Sequence, residues 1–264
     1  MEFFQINSLN KQLYNKALLE FEYNFCYPLG TDTFKIVHGE DYFDFFERMG
    51  QLYYSGFQKN DVIIAASAAV RRFLNTKYCW YLCDLKINAT YQGRFIPAKL
   101  LRKGILSHKD DDQRAYGISM NDANNQSTPI IDILKKSKAK PFKNGPIINI
   151  YSLDFYSLKK ISDRLEAING PIRYISLQGV KDIVLQSNGQ RMNLIHLDFP
   201  PYRNDAVNHV KPPDPNAVYM FCTIQGSLTH KLLQQEKITI NATATIIHFG
   251  MDDWDWSFIR TYEI

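Results

Sequence analysis

Apolar residues recur at helix-like spacing over residues 13–25, and aromatic residues do the same over 41–49, so both stretches are expected to be helices. The aromatic, β-prone segment 51–57 and the apolar, partly β-branched segment 62–73 flank Lys59-Asn60-Asp61, which has turn chemistry, and together they predict a hairpin. A strand follows over 78–87. Alternation would put Tyr81, Cys83, Leu85 and Ile87 on one face and Trp80, Leu82, Asp84 and Lys86 on the other. Pro97 suits the first turn of a helix over 97–103, which Gly104 closes. A short strand at 116–120 and a helix opened by Ser127 or Thr128 with Pro129, running to about Lys135, complete this half.

Residues 135–146 are rich in Lys, Pro and Gly and lack apolar periodicity, which places a boundary between a first domain at 1–140 and a second at 146–264. The second carries an expected strand at 147–151, a helix at 155–168, and strands at 172–177, 182–186 and 192–197. Proline clusters at 200–201 and 212–215 bracket an irregular loop. A strand at 218–223, a helix at 227–235 and strands at 238–249 and 258–264 finish the chain. The fold class is α/β with a mixed sheet, followed by a second α+β unit.

Composition supports a folded chain: 264 residues are 45% hydrophobic and 22% charged, far from the balance of a disordered segment. The net charge of +4 is spread through short mixed runs, so no basic face calls for nucleic acid, even with 14% aromatic residues. Cys26, Cys79, Cys83 and Cys222 are too sparse for a disulfide framework and lack a partner set for zinc, which suits buried thiols in a reducing cytosol. The start of the chain has no signal-peptide pattern, and no apolar run is long enough to span a membrane. A cytoplasmic protein without a membrane or metal partner is expected.

The segment most suggestive of chemistry runs from Cys83 through Gln92-Gly93-Arg94-Phe95-Ile96-Pro97-Ala98 to Leu101. A strand entering a tight turn and then a helix leaves several backbone N–H groups aimed at one place, a suitable seat for a pyrophosphate. With the preceding hairpin, this order of elements over residues 42–136 resembles the GNAT superfamily of acyl-CoA-dependent N-acetyltransferases. The family's loop signature is Gln or Arg, two residues, Gly, one residue, then Gly or Ala. Gln92 fills its first position, whereas Phe95 and Pro97 stand where the two small residues would be.

That resemblance implies acetyl-CoA or another acyl-CoA as cofactor, bound by the backbones of Leu85, Lys86 and Ile87, by loop residues 92–98 and by Asn125. It implies direct attack of a small-molecule or peptide amine on the thioester, whose carbonyl a fixed backbone N–H would polarise. Among carboxylates that could serve as base, Asp84, Glu40, Asp41, Glu47 and Asp122 are all available, and spacing selects none; Asp84 is the candidate on the strand itself, with a salt-bridged carboxylate as the plainer role. The helix that often supplies an acid tyrosine has none here, so Tyr81 and Tyr116 are the substitutes. The alternative function is a non-catalytic binding protein. Thr223-Ile224-Gln225-Gly226 before Lys231-Leu232-Leu233 echoes Thr90-Tyr91-Gln92-Gly93 before Lys99-Leu100-Leu101, which suggests that the second unit is a degenerate copy of the first.

Overall fold

A computed structural model of the chain describes residues 1–29, 32–104, 114–121, 142–202, 208–209 and 214–264. Two compact units emerge. Unit 1 comprises Met1–Phe21, Tyr42–Gly145 and Thr245–Trp254, and unit 2 comprises Glu22–Asp41, Pro146–Ala244 and Asp255–Ile264. Each half of the chain therefore lends a segment to the other, where the sequence suggested one cut between 140 and 146.

In chain order the elements begin with β1 (Glu2–Gln5), α1 (Lys11–Glu22), β2 (Tyr27–Leu29), β3 (Asp32–His38) and α2 (Asp44–Glu47). Then come β4 (Gln51–Lys59), β5 (Val62–Leu74), β6 (Lys77–Ile87), α3 (Ile96–Gly104) and β7 (Ala115–Met120). Unit 1 is a sheet in the order β1-β4-β5-β6-β7, extended by residues 245–249 of a late strand, β14 (Ala242–Phe249). Both hairpin turns are two residues long, with positive φ at Asn60 (51°) and Asp61 (62°) and again at Asn75 (49°) and Thr76 (63°). This is the mirror-image turn that matches strand twist, and Asn and Asp tolerate it best. α3 covers one sheet face through Ile96, Leu100 and Leu101, which pack with Phe57, Ala65, Ala69 and Trp80. The helix expected over 41–49 contracts to the single turn α2, because its buried Phe45 and Phe46 are fixed by packing rather than by length.

Unit 2 contains β8 (Lys143–Leu153), α4 (Phe155–Asn169), β9 (Arg173–Ser176), β10 (Lys181–Leu185), β11 (Leu194–Asp198), β12 (Asn208–His209), β13 (Val218–Ile224) and α5 (Leu228–Gln235). Its main sheet has the order β8-β13-β11-β9-β12, and a small sheet has the order β10-β3-β2. The antiparallel pairing of β3 with β10 draws residues 22–41 into this unit. α4 starts where Asp154 accepts a hydrogen bond from Ser157 N at 2.7 Å and stops at Gly170, φ +85°. α5 starts where Ser227 accepts from His230 N at 3.1 Å. Leu158, Ile161, Leu165, Leu232 and Leu233 bury the sheet face that carries Tyr151, Tyr219 and Phe221.

The strand expected over 258–264 is instead two 3-10 turns, Trp256–Phe258 and Thr261–Glu263. Side-chain bonds from Arg260 and Thr261 hold this stretch against β11 and β13, and that anchoring takes the place of a backbone ladder.

Candidate functional site

In unit 1 the parallel strands β6 and β7 pair, among the described residues, at Trp80↔Ala115, Tyr81↔Tyr116 and Leu82↔Gly117. Both strands continue beyond the last pair, to Ile87 and Met120. From residues 83 and 118 onward the described residues of the two strands are not paired with each other.

At the start of this divergence β6 carries a bulge. Ala68 pairs with Cys83 and Ala66 with Lys86, so Asp84 and Leu85 oppose Ser67 alone. Asp84 sits at φ +55°, a left-handed conformation uncommon for a residue with a side chain but best tolerated by Asn and Asp. The bulge shifts the side-chain alternation, which corrects the faces expected from sequence. Ile87 pairs with Ala65 and packs with the α3 cluster, while Lys86 pairs with Ala66 on the face of Tyr54, Tyr81 and Cys83.

On that second face a buried polar network forms around Asp84. Its Oδ2 accepts from Tyr42 Oη at 2.7 Å and Tyr54 Oη at 2.6 Å, and its Oδ1 pairs with Lys86 Nζ, which also donates to Tyr42 Oη at 3.2 Å. The side chains of Asp84 and Lys86 are only 5% and 8% exposed. A carboxylate taken from water needs such partners. Next to it, Tyr81 and Tyr116 stack with ring centroids 4.8 Å apart, and the buried Arg72 donates from Nη1 to Tyr116 Oη at 2.8 Å. The three residues expected to do chemistry, Asp84, Tyr81 and Tyr116, therefore share one sheet face. Tyr42, Tyr54, Arg72 and the pairing role of Lys86 carry no signal in the sequence: Tyr54 and Arg72 come in by the register of neighbouring strands, Tyr42 by packing of the segment before the hairpin, and Lys86 by the bulge on its own strand.

After β6, Asn88 caps a 3-10 turn by accepting from Thr90 N at 3.1 Å, and the chain enters the loop through Gln92 and Gly93. Gly93 has φ +75°, and nothing lies within 4 Å of where its Cβ would be, so the loop surface is open there. Phe95, at the position where the family has glycine, adopts φ +56° and is 70% exposed. The backbone is thus glycine-like although the residue is not. Arg94 stacks over Tyr91 at 5.1 Å, Ile96 is buried, and Pro97 and Ala98 form the first turn of α3. Asn125, Asp122 and the helix expected after Pro129 lie outside the described residues.

In unit 2 the parallel strands β11 and β13 pair over three positions, ending at His196↔Met220, and then diverge. His196 is buried and accepts or donates at Nδ1 with Thr261 Oγ1 at 2.9 Å; burial, with the nearby Lys181 charge, drives its pKa down to about 3. His230 Nδ1 lies 3.0 Å from both Tyr151 Oη and Asn149 Nδ2 inside the core. Burial pushes the Cys222 thiol up to about 12, which disfavours the thiolate. These are structural roles.

No protein-family model matches the chain. An uncharacterized protein of Acanthamoeba polyphaga mimivirus is 24% identical over 239 residues, 86% of this chain and 69% of that protein. Among solved structures, a tandem GNAT protein from the clavulanic acid biosynthesis pathway superposes with a TM-score of 0.54 at 7% identity, covering 94% of this chain and 98% of that one. The chain has the GNAT fold, in two GNAT-like units. A GCN5-related glucosamine N-acetyltransferase region of a fungal multi-domain β-N-acetylglucosaminidase superposes with a TM-score of 0.52 at 9% identity, over 94% of this chain and 38% of that protein.

The tandem GNAT topology also corrects the internal echo read from the sequence. In unit 1 the loop and α3 follow the first strand of the parallel pair, whereas in unit 2 Gln225, Gly226 and α5 follow the second strand, β13. The matched tetrapeptides therefore occupy non-equivalent places. β6 corresponds to β11 and β7 to β13, a relation set by strand pairing and invisible in the short echo.

Proposed function

We propose that unit 1 binds an acyl-CoA and passes its acyl group to an amine. The observation that carries this reading is the divergence of β6 from β7 at the bulge, next to a loop whose backbone is glycine-like at Gly93 and at Phe95. An acyl-CoA supplies the activated acyl group as a thioester. The backbone edge of Leu85, Lys86 and Ile87 that faces away from β5 would hold the pantetheine amides, and the N–H groups of loop residues 92–98 would hold the pyrophosphate, with Pro97 contributing none. A backbone N–H fixed by the bulge suits stabilisation of charge on a carbonyl oxygen. Tyr116, whose oxygen accepts from Arg72, keeps its own proton for another acceptor. The acceptor class is a small-molecule or peptide amine.

A specific observation favours a second reading, a non-catalytic acyl-CoA-binding protein. Asp84 already accepts from three donors, one of them an ammonium, which opposes its use as a general base. Calorimetry with acetyl-CoA tests the shared part: micromolar binding that Arg94→Glu abolishes is expected, and absence of binding to CoA and acyl-CoAs overturns both readings. Thiol release in the presence of amines then separates them, since the binding protein releases none.

No helix among the described residues is long and apolar enough to cross a membrane.

A further inference from the structure

Residues 85–109 include six basic residues and no Asp or Glu, a local departure from the short mixed charge runs of the rest of the chain. The fold gathers part of this stretch on one side of α3. Lys99 N donates to the Phe95 carbonyl at 3.1 Å, so Phe95 heads the helix. Lys99, Arg102 and Lys103 follow Phe95 at spacings of three and four residues, which sets all four side chains on one face. Ile96, Leu100 and Leu101 form the buried face. Phe95 is 70% exposed, and Lys99, Arg102 and Lys103 are exposed as well. Lys103 Nζ lies over the Phe3 ring at 5.3 Å, whereas Lys99 and Arg102 make no ion pair among the described residues. The result is a cationic stripe about 12 Å long. At its head stands an exposed aromatic ring in a left-handed backbone conformation that is costly for such a residue.

We propose that this stripe docks an acidic protein domain that carries its acyl group as a thioester on a phosphopantetheine arm, and that such a carrier is the preferred acyl donor of unit 1. The proposal rests on the donor reading of unit 1 and adds what lies beyond the donor's phosphate. On that reading the thioester lies along β6 and the phosphate at loop residues 92–98, where the stripe begins. Whatever is joined to the arm beyond the phosphate therefore meets α3. In CoA it is a phosphorylated adenosine, for which cations beside the loop alone would serve. In a carrier it is a protein surface attached through a serine oxygen, and carboxylates spaced along that surface match cations spaced along a helix. The exposed Phe95 ring adds an aromatic contact of the kind enriched in protein interfaces. The single phosphate of the arm needs fewer loop donors than a pyrophosphate, which accords with the N–H that Pro97 lacks. A nucleic acid would be drawn by the same cations but has no arm to lay along β6. In the transfer itself the amine nitrogen bonds to the carbonyl carbon, the C–S bond breaks, and the arm leaves as a thiol with the proton that the amine gives up.

The test measures Kd at low ionic strength, for the parent and for Lys99→Glu/Arg102→Glu, with acetyl-CoA, an acidic bacterial acyl carrier protein bearing acetyl-phosphopantetheine, the same carrier with its serine unmodified, and a single-stranded oligonucleotide. The parent is expected to bind the acetylated carrier about tenfold more tightly than acetyl-CoA, and the variant to lose about tenfold on the carrier but less than about twofold on acetyl-CoA. Equal losses on both donors assign the stripe to CoA and overturn the proposal. A parent that binds acetyl-CoA but binds the carrier no more tightly also overturns it and leaves the donor reading standing. If acetyl-CoA does not bind and the unmodified carrier binds as well as the acetylated one, the donor reading of unit 1 fails and the proposal falls with it. An oligonucleotide that binds more tightly than the carrier, and is lost in the variant, makes the stripe a nucleic-acid surface and overturns the proposal. Should near-UV dichroism show the variant unfolded, Lys99→Gln/Arg102→Gln takes its place with the same readings.

Discussion

The two units solve one structural problem in different ways. Each has a pair of parallel strands that pair over three positions and separate, and each places an aspartate two residues past the last pair, Asp84 after Leu82 and Asp198 after His196. Both aspartates are buried and ion-paired. In unit 1 the cation is Lys86, two residues along the same strand, and the bulge at Asp84 brings Lys86 to the face of Tyr54 and Tyr81, where the pair forms. In unit 2 the cations are Arg173, at 2.5 Å, and Arg260, at 2.7 Å, brought from distant parts of the chain. A local pair needs no segment from elsewhere in the chain. A distant one brings its own chain segment with it, and the segment fills the opening. By this comparison Asp84 resembles an anchor of the divergence more than a free base.

The largest expected effect breaks unit 2's version. Arg260→Ala leaves Asp198, 1% exposed, with Arg173 alone and removes the donor to Phe199 O. Loss of about 3 kcal/mol is expected in urea unfolding of the full chain, since a buried carboxylate loses one of its two cations and a buried carbonyl loses its donor. The matching change in unit 1, Tyr54→Phe, removes one of three donors to the Asp84 carboxylate and is expected to cost about 2 kcal/mol by the same measurement. If the two losses were reversed in size, the more elaborate unit 2 network would not be the stronger anchor.

Acid should weaken unit 2 through His196. His196 is held neutral in the folded state with a pKa of about 3, whereas the unfolded chain titrates near the ordinary value of 6.5. The folded state therefore binds fewer protons between these values. The stability is present in full above about pH 6.5 and is lost as pH falls toward 3, by about 1.4 kcal/mol for each unit. Urea midpoints at pH 6.5 and 5.5 measure this slope, and His196→Gln is expected to flatten it.

The smallest effect sharpens the reading of the loop in unit 1. Phe95→Gly relieves a left-handed conformation worth about 1–2 kcal/mol but frees the unfolded chain by somewhat less, so a net gain of about 0.5 kcal/mol in thermal unfolding is expected. A loss would mean that the exposed ring makes contacts that offset its strain.

What the sequence determined by itself is local. The hairpin turn at Asn60-Asp61, the strand read over 78–87 and the helices read over 155–168 and 227–235 follow from periodicity and from residues that favour one backbone conformation. The loop of residues 92–98 was legible for the same reason, since turn and helix-start chemistry is written within a few positions. Tertiary structure decided the rest. The bulge at Asp84 reverses the expected alternation, because extra residues are absorbed only against a partner strand. Tyr54 and Arg72 join the site through register, and Tyr42 through packing of the segment before the hairpin. Residues 22–41 and 245–254 exchange units, and 258–264 gives up strand for turns, because pairing and burial with distant segments outweigh the weak preferences of short stretches.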